Sequence, residues 1–261
     1  MSTGNAPCQT SNRFPRASGI LMHPTSLPGP YGVGALGKEA FQFVDFLVES
    51  RQHLWQVLPL TPPGMGESPY AAFSAFAGNP LLISLSQSVE AGLLAREDLA
   101  QAPAFPLQRV DFEAVRRFKL SMLRRAFERL AGGINQAQQA ALDAFCLEHA
   151  AWLDDYALFM ALKDAHNGAP WTSWERPLGK REPEALASAR NTLSSEVRFH
   201  QVLQFMFFTQ WFALKRYANE REVKIVGDIP IFVAQDSADV WSHQDLFSLD
   251  DRGFPTVVAG V

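Results

Sequence analysis

A chain of 261 residues with 47% hydrophobic side chains can bury a substantial core, as one large domain or two ordinary ones, which excludes a disordered polymer. Its 27 acidic and 23 basic residues are scattered to a formal net charge of −4, so no basic stripe is present to gather nucleic acid. The two cysteines, Cys8 and Cys146, build neither a disulfide framework nor a zinc spacing, and no apolar run approaches the roughly 20 residues of a membrane span, so the reading is a soluble cytoplasmic protein without a membrane partner.

Residues 1–16, rich in Ser, Asn, Thr and Pro, read as a flexible leader, and order is expected from Ala17. A short apolar run at about 18–23 predicts a buried strand that feeds a Pro- and Gly-rich loop over 24–37. Residues 38–50 carry Phe41, Val44, Phe46 and Leu47 near helical spacing, and 54–60 is a second strand, so the pair reads as a parallel crossover unit. From about 89 to 219 the residues follow helical periods, with a break at Gly132–Gly133. The apolar face of 199–217 is too wide for an exposed helix and is expected to pack on the sheet. A third strand is read at 224–233, KIVGDIPIFV, in which Asp228 interrupts an otherwise buried run. Three strands fall short of an eight-stranded α/β barrel at about 30 residues per unit, and with the apolar ending at 256–261 this reads as a truncated barrel.

Ligands in such folds lie at the carboxyl ends of strands, which directs attention to three loops. His23 closes the first strand without a visible partner and is read as part of a turn. The loop after residue 60 presents Ser68, Tyr70, Phe73, Phe76 and Asn79, which is either a sugar-binding surface of rings and hydroxyls or a satellite core under a long loop. In the third loop, Asp228 is a candidate ligand contact because a carboxylate inside an apolar strand is costly unless something answers it. Asp236, Ser237 and Asp239 read instead as the start of a helix, with a cap and acidic first turn. No P-loop, dinucleotide fingerprint, nucleophile elbow or HExxH pair is present, so phosphate, nicotinamide and zinc chemistry lack support.

The segments GILMHPTSLPGPYGVGALG, WQVLPLTPPGMGESPYAAFSAFAGNPLLISL and VGDIPIFVAQDSADVW, with DYALFMALKDAHNGAPWTSW and FHQVLQFMFFTQW between them, together resemble the 4-α-glucanotransferase family, the amylomaltases of glycoside hydrolase family 77. The resemblance runs from Ala17 to Val261. It implies the first part of a (β/α)8 TIM-type barrel with a largely helical insertion, and an enzyme that moves a segment of an α-1,4-glucan to the 4-hydroxyl of an acceptor sugar. It also implies a retaining mechanism in which one carboxylate attacks the anomeric carbon and a second, about 5 Å away, serves as acid and then base, with no cofactor and no metal. Both, with a third carboxylate that distorts the donor sugar, belong beyond the TVVAGV motif in the family, so no catalytic residue is assigned within these 261 residues. Carried across, Tyr70 matches a ring that stacks on the sugar, Ser68 a donor-side contact and Asp228 a substrate-binding aspartate. Met65 and Phe112 depart from aromatic and tyrosine residues common at a secondary glucan contact. An α-glucan hydrolase and a fragment that only binds oligosaccharide are the alternatives.

Overall fold

The computed structural model describes residues 16–64, 66–133 and 136–257. The leader read at 1–16 lies outside the described residues apart from Arg16, as does Met65. The first run forms β1 (Gly19–Leu21), followed by a single 3-10 turn at Pro24–Ser26 and α1 (Lys38–Glu49), whose buried Ala40, Val44 and Leu47 recur at helical spacing. The second run forms β2 (Leu54–Gln56) and the third β3 (Lys224–Val226). All three strands pair in parallel in the order β1-β2-β3, with Gly19 beside Leu54 and Trp55 beside Ile225. Gly19 suits its place because a Cβ there would stand 2.3 Å from the Leu54 carbonyl oxygen.

Each strand is shorter than the apolar run that announced it. Pairing continues by one backbone bond past β1 and β2, from Met22 N to Gln56 O and from Val57 N to Val226 O, and then stops. Pro24, Pro59 and Pro230 lie just beyond those points, and a proline supplies no N–H to a ladder. The expectation that Asp228 interrupts a strand is therefore corrected, since β3 ends at Val226 and Asp228 is exposed beyond it. Ile229, Ile231 and Phe232, read as part of the same buried run, are 71–86% exposed. No fourth strand lies against β3 among the described residues to cover them.

Helices fill the interval between β2 and β3. After α2 (Leu85–Glu90) and the single turn α3 (Arg96–Leu99) come α4 (Phe112–Gly133), α5 (Gln136–Glu148) and α6 (Ala150–Ala165). Then follow the short α7 (Arg176–Gly179), α8 (Pro183–Thr192), and α9 (Ser194–Glu220), while α10 (Ala238–Ser242) lies after β3. The apolar face of α9 buries Phe199, Leu203, Phe207 and Leu214 in one core with Trp55, Val57, Val44 and Leu47, which places that helix on the sheet as its wide apolar face requires. A second core gathers Phe159 of α6 with Trp171, Trp174 and Trp241. Each of those indoles donates its N–H to a backbone carbonyl, Gln235, Ala169 and Leu178 respectively, so none of the three is an orphan donor.

Two glutamines interrupt the apolar face of α9. The Gln204 amide accepts from Gly78 N at 2.7 Å and donates to Gly78 O at 2.9 Å, while Gln210 does the same to Ser84 N at 2.7 Å and Ser84 O at 3.3 Å. Each side chain thus stands in for a neighbouring strand and satisfies a buried irregular segment of backbone. Gly78 also has to be small, because a Cβ there would reach the Phe207 ring at 2.0 Å. Gln204→Leu orphans both backbone groups of Gly78, and a loss of about 3 kcal/mol of stability is expected, read as a lower urea midpoint at unchanged m-value. Gln204→Glu should recover little, since a carboxylate cannot donate to the Gly78 carbonyl.

Candidate functional site

The loop after β2 folds back on itself. Gly64 N donates to Ala71 O at 2.7 Å, Phe73 N to Pro62 O at 2.9 Å, and the Thr61 hydroxyl to Pro69 O at 3.2 Å. At its tip the half-buried Ser68 shapes the turn, its Oγ accepting from Tyr70 N at 3.3 Å and its carbonyl from Ala71 N at 3.1 Å. This projects the Tyr70 ring outward, 44% exposed.

Tyr70 and Asp228, 158 residues apart, meet there: the phenol donates to Asp228 Oδ2 at 2.7 Å. Asp228 Oδ1 accepts from Ile229 N at 2.8 Å, which sets the plane of the carboxylate. That bond to the carboxylate holds the Tyr70 hydroxyl above its ordinary pKa, since ionising the phenol would place two anions together. An aromatic face and a carboxylate with open lone pairs thus sit side by side at the carboxyl ends of β2 and β3.

The rest of the loop divides between the two uses left open by the sequence. Phe73 turns inward against the second core, 6.3 Å from the Phe159 ring, whereas Phe76 is 60% exposed and stacks at 6.4 Å on Trp152. Asn79 is buried and caps the turn Pro80–Leu82, its side-chain oxygen accepting from Leu81 N at 2.9 Å. His23 serves its turn: Nδ1 accepts from Thr25 N at 3.3 Å and lies 2.6 Å from the Thr25 hydroxyl, with Nε2 at 3.4 Å from Pro59 O. Burial lowers its pKa and favours the neutral ring.

The loop after β3 is held by residues with no obvious sequence signal. Asp236 accepts from Lys163 Nζ at 2.6 Å and from Trp171 N at 3.2 Å, and Lys163 also donates to Gly168 O and Ala169 O. The helix cap belongs to Ser237, whose Oγ accepts from Val240 N, while Asp239 accepts from Ala75 N at 3.1 Å and Ala238 N donates to Phe73 O. Burial raises the pKa of Asp239. These bonds tie the loop after β3 to the loop after β2, the condition for Tyr70 to reach Asp228. Among the described residues no group of three or more His, Cys, Asp or Glu side chains could hold a metal ion, and no helix is long and apolar enough to cross a membrane.

The family model described as 4-alpha-glucanotransferase, glycoside hydrolase 77, matches residues 22–261. The chain belongs to the 4-α-glucanotransferase family. It is 53% identical over 248 residues to the 4-alpha-glucanotransferase of Thermus thermophilus and 49% identical over 247 residues to that of Synechocystis, covering 95% and 94% of this chain but 49% of each relative. The backbone matches an amylomaltase from Streptococcus agalactiae, solved in complex with acarbose, at a TM-score of 0.90 and 40% identity, over 95% of this chain and 50% of that one. The chain therefore spans about half the length of the relatives it matches, and its α/β architecture with three parallel strands among the described residues is that of an incomplete barrel.

Proposed function

We propose that the protein containing this chain moves a segment of an α-1,4-glucan to the 4-hydroxyl of an acceptor glucose or glucan, in the cytoplasm, through a retaining double displacement. The observation that carries the reading is the exposed Tyr70–Asp228 pair, held at the strand ends of a backbone that follows an amylomaltase. The Tyr70 ring covers the apolar face of one pyranose, Asp228 accepts from its hydroxyls, and Ser68 sets the turn that aims the ring. The attacking and proton-transferring carboxylates come from the half of the family's length that this chain does not span. The same half covers the apolar surface now open at Leu21, Val226, Ile229, Ile231 and Phe232.

Maltotriose tests this directly. Residues 1–261 alone should give no product, whereas a version extended through the whole barrel should release glucose while building longer dextrins. Turnover by the short chain would sink the division of labour, and an extended enzyme yielding only shortened products would be a hydrolase.

A further inference from the structure

A cavity of about 330 Å³ lies among α4, α6, α9 and the loop that follows β2, and it shares no lining residue with the groove beside Asp228. Its charged side chains are already answered: Arg116 pairs with Glu67 at 2.6 Å, Arg124 with Glu196 at 2.5 Å, and His200 Nε2 with Asp164 at 2.9 Å. A charged ligand would have to break one of these pairs, so the occupant they leave room for is neutral.

Unspent hydrogen-bonding capacity lines the same space. Tyr156 is 1% exposed, and its hydroxyl has no hydrogen-bond partner among the described residues. Asn79, 5% exposed, spends its side-chain oxygen on Leu81 N and keeps both amide hydrogens, and His200, 6% exposed, keeps its second ring nitrogen. These atoms are not among the sealed, unpaired ones of the described residues; they belong to side chains that line the cavity, where water or a ligand can meet them. Between them stand apolar walls that include Phe73, Leu120, Met160 and Leu203. The volume has room for one six-membered polyol ring with a few waters.

We infer that this cavity binds a single neutral sugar ring of hexose size, with Tyr156, Asn79 and His200 meeting its hydroxyls and the apolar wall its ring face. Free glucose is the probe, added to the full-length protein carrying this chain with 13C-labelled methionine methyl groups. The Met160 resonance, assigned by its loss in Met160→Leu, should shift and saturate with glucose. Tyr156→Phe, which keeps the ring and removes the hydroxyl, should weaken that binding about fivefold. Leu120→Trp, which fills the space, should abolish it, and circular dichroism reports whether that variant remains folded. Tyr70→Ala and Asp228→Asn should leave the Met160 titration unchanged, and this separates the cavity from the proposed substrate contacts whatever happens to transfer activity. A Met160 resonance that does not move, or a titration unaltered by Tyr156→Phe, or one lost with Tyr70→Ala, overturns the assignment.

Discussion

Asp228→Asn, made in the enzyme that carries the whole barrel, is expected to lower kcat/KM about 10- to 100-fold, the range for a lost charge-assisted hydrogen bond to substrate. The melting temperature should hardly move. Asp228 is exposed beyond β3 and has two protein bonds, from Ile229 N to Oδ1 and from the Tyr70 hydroxyl to Oδ2; asparagine's one side-chain oxygen keeps the first, and its amide nitrogen can donate to the phenol oxygen in place of the second. Tyr70→Phe should keep most of the stacking and lose the hydroxyl that orients the carboxylate, so its effect should be smaller than that of Tyr70→Ala. Measuring Tm and kcat/KM on the same preparations separates the possibilities: a destabilised but fully active Asp228→Asn enzyme would make the residue structural.

Lys119 should give the largest dependence of stability on pH. It is 1% exposed on α4, its ammonium nitrogen donates to the Leu81 carbonyl at 2.7 Å, and burial pushes its pKa down from 10.5 to about 7. Below pH 7 both folded and unfolded chains hold the proton, and the cost of burying the charge is fully present. Between about 7 and 10.5 the unfolded chain holds a proton that the folded chain has released, so stability rises with pH across that window. Relative to Lys119→Met, whose side chain does not titrate, the wild type should gain about 4 kcal/mol from pH 7 to 10. Urea unfolding at several pH values measures the difference, and parallel curves for the two proteins would show that the amine stays hydrated.

The sequence by itself determined the family, the parallel α/β class, the helical character of the long middle and the sheet-facing role of α9, because each rests on local periodicity or on long uninterrupted motifs. Asp228 and Tyr70 were legible as candidates from residue type and motif. That they come together was legible too, since both lie at strand ends opening onto one mouth; the direct bond between them was not, because it depends on Ala75 N bonding Asp239 and Ala238 N bonding Phe73 O, which tie the two loops together. Tertiary structure also decided where the strands end. Apolar runs extend past the prolines that stop the ladder, and hydrophobicity carries no record of the missing N–H. It decided the role of Gln204 and Gln210 too, for a polar residue on an apolar face is a flaw until the backbone it satisfies is in place. The division follows the reach of the forces: periodicity reports burial along one element, whereas a hydrogen bond between distant loops exists only after packing has brought donor and acceptor within about 3 Å.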